Sequence, residues 1–329
     1  MISAASRKSA VIGAGACGSA IAHRLSSSGL FDTVVLADRT EGKARGRALD
    51  IDHAGCIEGF RARTVGVTVS SRGDGYDAIG GSQVVVIATG RPRRPGMRRR
   101  DLLEVNAQAV AAAASGVRSF APEAAVIVLT NPLDEMTSFV QAVSGLPAGR
   151  VLGQAGVLDS VRFRYVVAQE LGVPVSSVRA LVLGPHSEEM VPLASTCLVA
   201  GRPLNDLLPA ERVKALVERT RHGGTEIIGL LRTTSTSVAP SAAVLEMVRA
   251  IVSDSRAELP VCTWVHGQYG IRDVYLGVLA VLGRAGVISV VERDLHPLES
   301  RALRAAAELT RPRQIAVRQL ARERWGGQP

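Results

Sequence analysis

The stretch that most constrains this chain is Gly13, Ala14, Gly15, Ala16, Cys17 and Gly18, a GxGxxG pattern between an apolar run at 9–12 and a helical pattern at 19–25. The first glycine permits a tight turn, the second lets backbone approach a pyrophosphate, and the third lets helix and strand pack closely. Phosphates then sit at a helix N-terminus, where free N–H groups and the helix dipole favour negative charge. Glycine-rich turns without a ligand are common, so the next strand matters. It covers 33–37 and ends in Asp38, 20 residues after Gly18. A carboxylate there binds ribose hydroxyls and repels a 2′-phosphate, which favours NAD over NADP. Arg39 beside it works against that preference.

A helical pattern follows at 41–58, then strands at 64–70 and 84–89, a helix at 101–120 and a strand at 125–129. Within the first of these helices Asp50, Asp52 and His53 lie close together, and they read as a solvated helix face because no second cluster completes a site. Strands alternating with helices imply a parallel, doubly wound sheet whose ligand crevice lies at the strands' C-terminal ends. The glycine turn, Asp38, the segment after residue 87, and Thr130, Asn131 and Pro132 all fall at such ends. Beyond Gly153 the pattern changes to a helix at 158–172, a strand at 178–183 and a polar loop from Gly184 to Glu189. Helices at 210–231 and 240–252, strands near Val261 and at 274–281, and a charged helix from Pro297 complete the chain. The expected class is α/β, a Rossmann-type doubly wound parallel sheet followed by an α+β substrate and catalytic domain. The expected division is 1–152 and 153–329.

A chain of 329 residues that is 47% hydrophobic can bury a sizeable core, and its length suggests two domains. Its net charge of +9 invites a nucleic-acid hypothesis. Lysine, however, occurs only at Lys8, Lys43 and Lys214, and outside one loop the arginines are scattered among acids. Nucleic acid is therefore kept only as a weak alternative, one that predicts salt-sensitive binding to DNA or RNA. Cys17, Cys56, Cys197 and Cys262 form no CxxC pair, so neither a metal site nor a disulfide framework is expected, and a reduced cytoplasm fits best. Arg7 and Lys8 ahead of an apolar stretch resemble a signal peptide, but the glycines inside it argue against cleavage. No stretch approaches the roughly 20 apolar residues of a membrane span.

Residues 88–102 crowd Arg91, Arg93, Arg94, Arg98, Arg99 and Arg100 into one loop with Gly90, Pro92, Pro95 and Gly96. Guanidinium groups hold carboxylates through paired planar hydrogen bonds, so such a loop suits closure over a small anion, against the bland reading of a basic surface loop. Asp159 and Arg162 are three apart on a predicted helix and share one face. By itself such a pair is more often an exposed salt bridge. With His186, on a loop after a strand, they supply what hydride transfer needs. A histidine exchanges a proton with an alcohol, a carboxylate fixes its tautomer, and an arginine grips a substrate carboxylate.

GAGACGSAIA, VVVIATGRPRRPGM, LTNPLDEMT, VLGQAGVLDSVRFRYVVAQELGV, GPHSEEMVPL and VAPSAAVLEMVRAIV carry a resemblance over nearly the whole chain. It resembles the lactate and malate dehydrogenase family, on the side of malate dehydrogenases that are lactate dehydrogenase-like in sequence. The resemblance implies that His186 accepts the proton in malate oxidation, with Asp159 its partner. It further implies that Arg162 holds the carboxylate next to the reacting carbon, that Asn131 helps bind substrate, that Arg99 polarises the carbonyl, and that Thr236 borders the substrate. Arg93 takes the position that discriminates substrates, where lactate enzymes typically have glutamine. An arginine there neutralises the second carboxylate of oxaloacetate and would be left unpaired by pyruvate. Coenzyme contacts are implied at Gly13, Gly15, Ala16, Cys17, Gly18, Asp38, Thr89, Gly90, Asn106, Thr130 and Asn131.

The histidine loop departs from the family pattern of glycine on both sides of the histidine and an aspartate after it. Here Pro185 and Ser187 flank His186, and Glu188 stands in the acidic position. Proline fixes φ and removes a donor, so a shifted loop and impaired catalysis stand as one alternative. A dehydrogenase for another 2-hydroxy acid, such as lactate, is the other. The family resemblance also implies a homo-oligomer, dimer or tetramer, with helices around 41–54 and 241–252 as interface elements.

Overall fold

The computed structural model describes residues 7–91, 99–232 and 236–327. The first half is β1 (Lys8–Ile12), α1 (Ala16–Ser27), β2 (Thr33–Asp38), α2 (Lys43–Glu58), β3 (Arg63–Thr68), β4 (Val84–Ile87), α3 (Arg99–Phe120), β5 (Ala125–Val128), α4 (Leu133–Ser144) and β6 (Val151–Gly153). Its six strands pair in parallel in the order β3-β2-β1-β4-β5-β6. Four residues of β4 (VVVI) and four of β5 (AVIV) are entirely buried, as expected of central parallel strands covered on both faces. This is the doubly wound sheet that the alternating pattern predicts.

The second half is α5 (Gly156–Leu171), β7 (Val178–Arg179), β8 (Val182–Leu183), β9 (Val191–Pro192), β10 (Leu198–Val199), β11 (Arg202–Pro203), α6 (Ala210–Leu231), α7 (Val238–Val252), β12 (Glu258–His266), β13 (Arg272–Gly283), β14 (Gly286–Val290) and α8 (Pro297–Trp325). β12 runs antiparallel to β6 through Cys262 opposite Gly153, and β13 and β14 continue from it, so one sheet of nine strands passes through both halves.

Two expectations need correction. Residues 178–183 are not one strand. β7 joins a three-stranded sheet with β10 and β11, whereas β8 pairs with β9. The chain changes partners at Ala180 and Leu181, where the Leu181 carbonyl accepts from Leu193 N at 2.9 Å and the Ser160 hydroxyl accepts from Val182 N at 2.9 Å. Helix α4 had no counterpart in the sequence reading. Its residues are nearly all buried, polar ones included, so it lacks the one-sided periodicity that marks a surface helix.

Two close backbone approaches set the crevice. Gly13, at φ 114°, turns the chain out of β1, its N–H donating to Ala37 O at 2.7 Å. A Cβ on Gly18 would lie 1.7 Å from Gly13 O, so α1 is pressed onto that turn as no larger residue would allow. The second approach is between Gly184, at φ 87°, and Gly277 of β13, whose bridge pins the start of the histidine loop to the main sheet. On the far side of β13, Gln314 of α8 accepts from Tyr275 N at 2.8 Å and donates to Tyr275 O at 2.7 Å, holding that strand from behind.

Candidate active site

Asp159 enters from the first turn of α5, where a carboxylate is favoured by the helix dipole. Its Oδ2 lies 2.8 Å from His186 Nδ1, and its Oδ1 accepts from Arg162 Nη1 at 3.0 Å. The side chains of Asp159, Arg162 and His186 are 3%, 14% and 18% exposed. The pair three apart on α5 is thus a buried, shared carboxylate, and the surface salt bridge reading is excluded. Arg162 Nε is buried with no hydrogen-bond partner among the described residues, which leaves guanidinium capacity for an incoming carboxylate. Gly224 of α6 stands across from it. A Cβ there would lie 3.6 Å from both Nη atoms, an ordinary van der Waals contact, so α6 runs close beside the guanidinium head.

His186 is held from its backbone as well as its ring. Its N–H donates to Asp134 Oδ2 at 2.9 Å, from the first turn of the buried helix α4. With Pro185 and Ser187 on either side, its ring still reaches Asp159. Ser187 N donates to Pro185 O at 2.8 Å, Glu188 is exposed, and Glu189 pairs with Arg313 of α8 at 3.4 Å. Burial pushes the imidazole towards neutrality. The charge and hydrogen bond of Asp159, with a further contribution from Asp134, outweigh that loss and the repulsion of Arg162, so the pKa stands above the ordinary 6.5.

A separate groove is bounded by Gly13, Gly15, Asp38, Thr89, Gly90 and Asn106. A Cβ on Gly15 would meet nothing within 4 Å. Helix α1 starts there with no side-chain cap and no acid in its first turn. That is unfilled space over free N–H groups, which suits a pyrophosphate. Asp38 accepts from Ala14 N at 2.8 Å, Thr40 N at 2.9 Å and Lys43 Nζ at 3.2 Å. Burial alone would raise its pKa, but the Thr40 and Ala14 N–H groups and then Lys43 reverse this, so the carboxylate stays charged.

Known proteins align with this geometry across the chain. The NAD-binding domain model of lactate/malate dehydrogenase matches residues 7–153, and the α/β C-terminal domain model of the same enzymes matches residues 156–313. The chain is 45% identical to a malate dehydrogenase of Staphylococcus carnosus over 305 residues, 92% of this chain and 96% of that protein. It is also 45% identical to one of Thermomicrobium roseum over 314 residues, 95% and 99% of the two chains. The chain belongs to the lactate/malate dehydrogenase family. Among solved structures, malate dehydrogenase of Cryptosporidium parvum superposes with TM-score 0.90 at 36% identity over 95% of this chain and 99% of that one. A lactate dehydrogenase of the same organism, complexed with lactic acid and nicotinamide adenine dinucleotide, also gives TM-score 0.90, at 38% identity over 95% and 98%. Backbone shape therefore does not separate the family's two substrates.

Within this family member, the structure gathers some expected residues and not others. His186, Asp159 and Arg162 are brought together, and Thr89, Gly90, Asn106, Thr130 and Asn131 form one braced corner. Thr130 Oγ1 donates to Thr89 O at 2.5 Å, and Asn106 donates to Asn131 O at 2.9 Å while accepting from Arg91 N at 2.7 Å. Asn106 is buried, and its side chain serves these backbone groups. Ala16, Cys17 and Gly18 lie on the first turns of α1, Gly18 as a packing contact. Thr236 is half-buried ahead of α7 and makes no hydrogen bond to the triad among the described residues. Arg93 lies outside the described residues, and Arg99 begins α3 with its side chain outside them. Asp50 and His53 are solvated as expected, although Asp52 ties α2 to β3 by accepting from Thr64 N at 2.9 Å.

Sequence reading missed Asp134 and Lys43. Asp134 sits inside LTNPLDEMT, three residues after Asn131, and its distance from His186 in sequence concealed the contact. Lys43 entered that reading only as one of three lysines in the chain. All four cysteines are free, and no cluster of metal-ligating side chains occurs among the described residues.

Proposed function

We propose that this protein is an NAD-dependent malate dehydrogenase, interconverting (S)-malate and oxaloacetate. The observation that carries the reaction is the single buried carboxylate of Asp159 joined to both His186 and Arg162. The malate dehydrogenases that match over more than nine-tenths of the chain, together with Arg93 in the loop, support the choice of substrate. In this reading residues 1–152 bind the coenzyme and 153–329 carry most of the catalytic groups.

Bound NAD supplies the acceptor for the hydride that leaves C2 of malate. The chain's residues do the rest. Arg162 pairs with the carboxylate on C2, and Arg93 with the distal one. His186, its Nδ1 engaged by Asp159, takes the hydroxyl proton at Nε2, and Asp159 stabilises the resulting imidazolium. Asn131 and Arg99 orient and polarise the oxygen on C2, and Thr236 borders the substrate. In the reverse direction the imidazolium returns its proton to the carbonyl oxygen of oxaloacetate.

The raised pKa of His186 sets the pH dependence. Malate oxidation needs the neutral ring, so its kcat/KM rises with pH through an apparent pKa above 6.5 and then levels. Oxaloacetate reduction needs the imidazolium and falls over the same interval. Initial rates in both directions, between about pH 5.5 and 9, check this. Two profiles moving the same way would contradict His186 as the proton carrier.

A homo-oligomer remains part of this reading, and exposed apolar side chains support α2 as part of its interface. Leu49 and Ile57 of α2 are exposed, Ile57 at 89%, as are Val161 and Tyr165 of α5. Helix α7, the other expected interface element, packs its buried apolar side against α1 within the chain. The wide spacing of the four cysteines, with no CxxC pair, supports a cytoplasmic location. No helix among the described residues is long and apolar enough to cross a membrane.

A further inference from the structure

The ribose end of the coenzyme groove carries more positive charge than an NAD-selective site needs. Asp38 is the one acid among the described residues that line the groove, and Arg39 and Lys43 line it beside that carboxylate. Lys43 lies 3.2 Å from Asp38 Oδ2. A carboxylate has about four acceptor positions. Here Ala14 N, Thr40 N and Lys43 Nζ take up three of them, so its capacity for ribose hydroxyls is reduced, and Lys43 offsets the field of its negative charge. Arg39 is exposed and has no hydrogen bond or ion pair among the described residues.

Lys43 is also misplaced for its own helix. It opens α2, which has no acid in its first turn and no side-chain cap. A cation there opposes the helix dipole, whereas an anion would be welcomed by both the dipole and the free N–H groups. Repulsion of a 2′-phosphate by the carboxylate is what ordinarily excludes NADP, and a nearby arginine is what accommodates it. With the carboxylate countered by Lys43 and with Arg39 unengaged, the exclusion is weak.

We infer that Lys43 and Arg39 form a cationic rim able to receive the 2′-phosphate of NADPH, so the protein binds NADPH as well as NADH. The inference rests on the groove being the coenzyme site. Dissociation constants for NADH and NADPH, from nicotinamide fluorescence at fixed ionic strength, test it in the unmodified protein and in Lys43→Met and Arg39→Met. The expected ratio of the two constants in the unmodified protein is within about tenfold. Each variant should lose at least about fivefold more affinity for NADPH than for NADH, and retained NADH binding reports an intact fold. A wider ratio in the unmodified protein, or equal losses for both coenzymes in Lys43→Met, would overturn the rim while leaving NAD use intact. Failure of NADH itself to bind would overturn the coenzyme site and the rim together.

Discussion

Asp159→Asn lowers kcat for malate oxidation by about a thousandfold, because the residue does two jobs that an amide cannot do together. Its carboxylate accepts from Arg162 on one oxygen and faces His186 Nδ1 with the other, at 3.0 and 2.8 Å. An asparagine offers one acceptor and one donor. If the amide oxygen stays with Arg162, the NH₂ faces Nδ1, which then carries no proton. The proton moves to Nε2, the atom required to accept one. If the amide flips, the guanidinium meets a donor and is left unpaired in a buried setting, at a cost of about 3–5 kcal/mol. Either way the imidazolium loses its counter-charge, so the raised His186 pKa falls and the pH profile shifts to lower pH. Steady-state kinetics in both directions, with circular dichroism to confirm folding, measure this. A loss under about tenfold would remove Asp159 from the proton-transfer machinery.

Arg93→Gln moves specificity from the dicarboxylate towards the monocarboxylate. In the proposed reading, oxaloacetate brings two carboxylates out of water and Arg162 is assigned to one of them. Without Arg93 the second would be unpaired. With it, pyruvate would leave the guanidinium unpaired instead. Each mismatch costs about 3–5 kcal/mol, so the ratio of kcat/KM for oxaloacetate to that for pyruvate falls by at least about a hundredfold in the variant. The register for choosing Arg93 over Arg94 comes from Pro92, Pro95, Gly96 and Met97 in the sequence. An unchanged ratio would assign discrimination to another of the loop's arginines.

The parts of the fold that were legible in the sequence are those where one residue type answers one local need. Gly13 and Gly18 mark a turn and a helix pressed together, Asp38 ends a strand, and Pro297 opens α8 at its first position, where its missing N–H costs nothing. The apolar runs of β4 and β5 could be read as buried strands for the same reason. What failed depended on neighbours distant in sequence. Residues 178–183 look like one strand until Leu193 and Ser160 claim its middle. Helix α4 is buried all round by α3, β6 and α8, so no polar face announces it.

The candidate site divides in the same way. Asp159 and Arg162 were readable because helical spacing aligns them, and His186 because it follows a strand. Asp134 was not, because its contact spans 52 residues and ends on a backbone N–H, which leaves no trace in residue type. The proline and serine around His186 suggested a displaced loop. The Gly184–Gly277 bridge before them and the Asp134 hydrogen bond between them hold the histidine in place regardless.

The most direct measurement mixes purified protein with NADH and compares initial rates of nicotinamide absorbance loss with oxaloacetate and with pyruvate. The predicted result is rapid oxidation with oxaloacetate and a kcat/KM at least about a hundredfold lower with pyruvate. An equal or greater rate with pyruvate would contradict the assignment of malate as substrate while leaving the His186, Asp159 and Arg162 chemistry intact.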